Sequence, residues 1–195
     1  MSVLAFEPRA TQWTREEYYR LGEMGFLDGK RVELIDGEII EMAPQGDWHS
    51  WVIENLVGVL TNIFPLDQFS IRSQLPLKLG ERSDPEPDYA VILGSSQTRK
   101  GKGQPNTALL VIEVADSTLR FDRKIKGGLY ASAGIPEYWI INLIDRQIEV
   151  YRQPTANADA KFGVSYAPAV IIRAGESIAP LSMPDKMISA SSILP

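Results

Sequence analysis

The feature that most constrains this chain is one acid in an apolar place: Glu113 stands inside the run Leu109-Leu110-Val111-Ile112-Glu113-Val114. Branched residues make that run a strand, and a carboxylate set in such a strand is costly unless it is paired, protonated or bound to a metal. A second branched run, 88–93, precedes it across a Gly/Ser/Lys loop. If the two pair as an antiparallel hairpin, the start of the first lies opposite the end of the second, so Asp88 faces Glu113. Directly opposed residues share a face of the sheet, which brings both carboxylates within reach of one cation. Like charges so close raise the cost further. A hard divalent ion, Mg2+ or Mn2+, removes it, because such ions take oxygen ligands and keep waters for a substrate phosphate. The chain has no cysteine, so a metal must use oxygen or the one histidine, His49.

The segment after Glu113 supplies a cation. Phe121, Ile125, Leu129 and Ala133 recur on one face of a helix that stops at Gly134 before Pro136. Lys126 lies one turn in, on a flank of that face, where a lysine could orient or deprotonate an attacking water and stabilise charge on a phosphate. Lys124 lies at a similar angle on the other flank, and Lys126 could instead pair with Asp122 four residues earlier. Spacing alone leaves the choice open.

The rest of the pattern is α/β. Thr14 followed by Glu16 and Glu17 opens a short helix through about Leu21. A hairpin, 31–35 and 38–42, turns at Asp36-Gly37. Asp47 caps a helix in which His49, Ile53, Leu56, Leu60 and Ile63 share the inward face, ending before Pro65. Strands are expected at 69–72, 75–79, 137–143 and 147–152, then a hairpin within 164–173 and a loosely docked Pro/Ser-rich tail. At 195 residues with no break in composition, the chain reads as one domain: N-terminal helix and hairpin 12–43, core 47–152, C-terminal hairpin and tail 153–195. No run is long enough to cross a bilayer and no signal pattern opens the chain, so a cytoplasmic location is expected.

The segments ELIDGEIIEM (33–42), PEPD (85–88), LLVIEVADST (109–118) and DRKIKGGLYASAGIPEYWII (122–141) resemble the Uma-type family of restriction endonucleases in the PD-(D/E)XK superfamily. The resemblance spans about residues 12–152, and Lys126, Tyr130, Gly134, Pro136, Tyr138 and Trp139 are its most distinctive part. It implies a restriction-endonuclease-like α/β core, a central mixed β-sheet flanked by helices with extra β-hairpins, and a metal site that cleaves phosphodiesters. Asp88 then takes the place of the motif's first acid and Glu113 that of its second. The plain motif has its lysine two residues after the second acid, where this chain has Ala115. In the Uma-type family that role passes to the following helix, which here means Lys126. The same resemblance places Glu33 and His49 near the site, with Tyr130 in the helical column of Lys126. Read from the residues alone, Glu33 is equally a strand carboxylate paired with Arg31, and His49 an inward histidine satisfied locally.

The implied function is a Mg2+- or Mn2+-dependent endonuclease acting on nucleic acid, DNA in the first instance, with a homodimer able to address both strands of a duplex. The competing reading is a nuclease fold that binds or regulates without catalysis; a two-carboxylate glycosidase fits worse, since it leaves the downstream lysine unexplained. A net charge of −5 excludes a protein that coats nucleic acid through a generally basic surface. Basic segments do occur at Arg99 to Lys102 and at Arg120 to Lys126, the first at the end of the hairpin remote from the acids, about 20 Å away.

Overall fold

The computed structural model describes residues 10–195. Helix α1 (Arg15–Glu23) starts at Thr14, whose side chain accepts from the Glu17 backbone while the Glu17 side chain caps Thr14 in return. Strands β1 (Val32–Ile35) and β2 (Glu38–Glu41) form the expected hairpin, with positive φ at both Asp36 and Gly37 (51° and 80°), the twist that suits a two-residue turn. Helix α2 (Asp47–Ile63) buries Val52, Leu56, Leu60 and Ile63. Its cap position is Gly46, which makes no side-chain capping bond; Asp47 lies inside the first turn rather than at the cap.

Six strands form the central sheet in the order β10-β7-β6-β5-β4-β3: β3 (Phe69–Ser73), β4 (Tyr89–Leu93), β5 (Leu110–Ala115), β6 (Glu137–Asn142), β7 (Gln147–Arg152) and β10 (Val170–Arg173). All neighbours are antiparallel except β5 and β6, which are parallel. That pair needs a crossover, provided by the helical segment α3 (119–132). It is α-helical over Leu119–Phe121, widens to a π-helical turn over Asp122–Lys126, and is α-helical again over Gly127–Ser132.

The sheet has a core on each face, and the alternation of strand side chains assigns residues to them. Leu110, Ile112, Val114, Trp139 and Ile141 pack with α2 on one face. Val111, Ala115, Tyr138 and Ile140 pack with Leu129 and Tyr130 of α3 on the other. Trp139 and Tyr138, both fully buried, are packing residues, one on each face of the sheet. By the same alternation Glu113 belongs to the α3 face.

Three local expectations fail. Residues 75–79 form no strand: Leu77 bonds to Pro85 O, Lys78 to Pro105 O and Leu79 to Ser83 O, so the stretch after Pro76 bridges the 83–85 segment and the β4–β5 loop. Residues 164–173 form no hairpin of their own. Instead β9 (Val164–Ser165) pairs with β8 (Thr155–Ala156), and β10 joins the main sheet beside β7. The tail is not loosely docked either: β11 (Ser177–Ile178) pairs with β12 (Ile188–Ser189), and Ile178, Ile188, Ala190, Ile193 and Leu194 complete the α2 core. No helix among the described residues is long and apolar enough to cross a membrane.

Candidate active site

The β4/β5 register sets Tyr89 against Ile112, so the next position along pairs Asp88 with Glu113, at the end of the sheet where α3 begins. The Asp88 backbone N–H lies 3.5 Å from Glu113 Oε2. Both carboxylates are buried, and each is held by a different set of donors. Asp88 Oδ2 accepts from the Val114 backbone N–H (2.8 Å) and lies 3.2 Å from His49 Nε2, while Oδ1 accepts from the Gln74 side chain (3.1 Å). Burial raises its pKa, but His49, the Val114 amide and Lys126 outweigh that and hold it below the usual aspartate value.

Glu113 is held from the α3 side. Its Oε1 accepts from Lys126 Nζ at 2.9 Å and from the Tyr130 hydroxyl at 2.6 Å. Burial, with Asp88, Asp122 and Glu33 nearby, pushes its pKa up despite the ion pair with Lys126. Lys126 also reaches Glu33 on β1, donating to Oε1 at 3.2 Å; Glu33 Oε2 lies 3.1 Å away and makes no hydrogen bond though buried. Side chains of Lys126 and Glu33 are 1% and 2% exposed, so this is a charge cluster cut off from solvent. Burial alone would lower the lysine pKa; Glu113, Glu33 and Asp122 reverse that and keep the ammonium protonated.

Most of the residues expected at the site therefore meet. Asp88, Glu113, Lys126, Glu33, His49 and Tyr130 form one connected set, and all but Tyr130 wall a common cavity. Lys124 is the exception: it is exposed and lines a separate hollow beside Tyr151 and Asp159. Nor does Lys126 make the helix ion pair with Asp122, whose carboxylate instead accepts from Thr118 Oγ1 at 2.6 Å. Glu33 pairs with Lys126 rather than Arg31. The segment Arg120 to Lys126 is not one basic surface, since Lys126 is buried and Arg123 is bound to Glu149 on β7.

Sequence reasoning missed two residues. Gln74, held at φ 50° in the irregular stretch after β3, orients Asp88, and Glu86 in PEPD lines the same cavity. Glu86 could have been flagged by standing two residues before Asp88; Gln74 offered no signal.

The cavity measures about 60 Å³. Since a buried water needs roughly 10–15 Å³, that is room for a few waters or a hydrated cation, not a nucleotide, so a substrate must meet it from outside. Its walls carry six carboxylates, from Glu33, Glu86, Asp88, Glu113, Asp116 and Asp122, against the permanent cations Lys126 and Arg31. This surplus of oxygen anions, with Glu33 Oε2 orphaned, fits a hard divalent ion. Among the described residues no three His, Asp or Glu side chains already form a closed cage, so at most an open site that keeps water ligands is in place.

A mixed sheet with one helix-bridged parallel pair, paired acids at its strand ends and a lysine on that helix defines the restriction-endonuclease-like class of α/β domains. The chain belongs to the Uma2 family, described as "Putative restriction endonuclease", which it matches over residues 15–187. It also resembles the crystal structure of a "putative nuclease belonging to DUF820" from Anabaena variabilis ATCC 29413, with a TM-score of 0.65 and 19% identity over 89% of this chain and 96% of that one. At that identity the likeness is one of fold. No curated protein matches the chain.

Proposed function

We propose that this protein is an endonuclease that hydrolyses phosphodiester bonds in nucleic acid with the help of a divalent cation. One observation carries the reading: a lysine buried to 1% is joined to the second of two paired acids at the wall of a cavity rich in carboxylates. A binding module has no need to bury such a charge there, where ion pairs bring little net stability.

In this reading Asp88 and Glu113 hold Mg2+ or Mn2+, with Glu33 beside them. Held there, such an ion would supply a Lewis acid for the phosphate and a lowered pKa for water at the site. Lys126, which already donates to Glu113 and Glu33, orients the attacking water and faces the charge that develops on the phosphate oxygens. It acts as a donor rather than a base, because its proton is held by the two carboxylates. Tyr130 fixes Glu113; His49, Gln74 and the Val114 amide fix Asp88, so that the pair stays aimed while substrate arrives. Fold membership in a nuclease family supports the reaction class, and a homodimer would let two such sites serve the two strands of a duplex.

The test is cleavage of supercoiled, linear and single-stranded DNA, and of RNA, with Mg2+ or Mn2+, by wild type, Glu113→Gln and Lys126→Ala. Loss of metal-dependent cleavage in both variants, with circular dichroism showing them folded, is the expected result. No cleavage of any substrate by folded wild type would overturn the reading in favour of a catalytically silent module. Mn2+ is expected to raise the melting temperature of wild type, and to raise that of an Asp88→Asn/Glu113→Gln variant far less.

A further inference from the structure

The carboxylate cavity does not end at its own walls. Arg31 and Glu86, which line it, also line a second hollow beside α1; that hollow shares Tyr19 and Asp84 with a third; and the third shares Arg15, Lys78 and Gln104 with an open hollow of about 670 Å³. The four hollows therefore adjoin one another in series, and their shared rims trace a single path over the surface. It runs along the α3 side of the sheet from the acids toward the β4–β5 loop at the far end of those strands, a distance of about 20 Å for six residues of strand.

The groove gathers cations. Arg31 lines it at the cavity, Lys30 beside it, then Arg15 and Lys78, and Lys102 at the open end, while Arg72 adds a sixth cation next to the lining through its hydrogen bond to Gln104 at 2.5 Å. Among the described residues none of the six is within ion-pair distance of a carboxylate. The acids beyond Glu86 are few: Glu81 is at the rim, and Asp84 is buried and takes the Tyr19 hydroxyl. In a chain of net charge −5, unpaired cations collected along one path are a local inversion of the field.

We infer that this groove is the track for the phosphate backbone of one nucleic-acid strand leading to the mouth of the cavity, and resting on the function proposed above it names the part of the substrate that is gripped. Phosphates of one strand are about 3.4 Å apart in projection on the duplex axis and farther apart along the backbone itself, so about 20 Å of track carries fewer than about six of them, each with at least one cation to meet it. The grip is electrostatic and indifferent to base sequence, because the groove presents charges rather than an array of base-edge donors. It also resolves the conflict between an acidic protein and a polyanionic substrate: the backbone is held by the groove, and the carboxylates face only the phosphate being cleaved. The loop around Lys102, remote from the acids, becomes the far end of the track.

The test measures binding of a fluorescently labelled 12-nucleotide strand by anisotropy, with metal chelated, across a range of salt. Three proteins are compared: wild type, Lys78→Glu/Lys102→Glu in the groove, and Lys186→Glu/Arg173→Glu on the exposed C-terminal segments. All four lysine and arginine side chains substituted are exposed, so folding is not at stake. Losing two phosphate contacts is expected to lower affinity tenfold or more at about 0.1 M salt and to reduce the slope of log affinity against log salt by about 1.4, with the control pair unchanged. With Mg2+ or Mn2+, the groove variant is expected to show a raised KM and an unaltered kcat. Equal affinity for all three proteins would overturn the track even if wild type cleaves. Charge-dependent binding without any cleavage would sustain the track and overturn the nuclease reading instead. Polyglutamate competing as well as the oligonucleotide would overturn nucleic acid as the occupant.

Discussion

Lys126 answers to two carboxylates at once, and that fixes what its loss does. Replacing it with methionine keeps the volume but leaves Glu113 and Glu33 buried together without a counter-charge, a change that costs about 3–5 kcal/mol when one partner of a buried pair is removed. Urea unfolding of metal-free Lys126→Met against wild type measures it. A second buried acid behaves differently. Burial raises the pKa of Glu149, but hydrogen bonds from Arg123, Asn142 and Tyr151 outweigh it and bring it down to about 2. A depressed carboxylate stabilises the fold above its unfolded value near 4.5, and that contribution disappears as pH falls toward 2. Glu149→Gln is therefore expected to be less stable than wild type at pH 7 and to converge with it near pH 2, as followed by thermal melts across that range. The pairing of Asp88 with Glu113 was readable in the sequence, because strand alternation and hairpin register are both periodic. The choice between Lys126 and Lys124 was not, and Gln74 could not be found because irregular backbone at positive φ carries no period.

The reason for the lysine ambiguity lies in the element that carries it. The turn over Asp122–Lys126 is π-helical, closed by the Gly127 N–H on Asp122 O, so the 100° step used to place side chains on a helical wheel does not hold there. Asp122, Lys126 and Tyr130 all turn inward, while Phe121, Ile125 and Ala133, expected to form the buried face with Leu129, are only partly covered. Arg123 ties the same turn to β7 through Glu149 (2.9 Å from Nε), which holds the widened backbone in place. Close packing follows it: a Cβ added at Gly128 would meet Phe162 Cδ2 at 2.9 Å. Gly128→Ala is expected to destabilise by about 1–3 kcal/mol through overpacking, despite the better helix propensity of alanine, and denaturant midpoints decide the sign. At α1 the local signals were sufficient. Its cap is Thr14, as read from the sequence, to which the structure adds the reciprocal bond from Glu17; Thr14→Ala is expected to cost about 1 kcal/mol in the same assay.

Across the whole molecule hydrophobic periods disclosed the long strands and helices, and the family resemblance supplied their arrangement as a mixed sheet flanked by helices. The C-terminal quarter escaped because its contacts are made by two-residue strands and single apolar residues among prolines and serines. Yet Glu137, fully buried, accepts from Arg152, Trp139 and the Leu181 backbone at once, and so fastens β6 to that segment. Ile188, Ile193 and Leu194 then close the core under α2, the helix that presents His49 to Asp88. Deleting residues 188–195 is expected to remove several kcal/mol of burial, at about 1.5–3 kcal/mol for each large apolar side chain, and to lower the melting temperature well beyond any surface change. Calorimetry of the shortened chain checks it.

The span between Glu33 and Lys126, 93 residues apart in the chain, also sets a clock. At roughly 5–20 residues per second of synthesis, the hairpin bearing Glu33 waits on the order of ten seconds before the lysine that neutralises it exists. The apolar residues that seat α2 arrive later still, at 188–194. A growing chain therefore holds its acids long before it can aim them, and the site takes its final geometry only once residues 188–194 have emerged to seat α2.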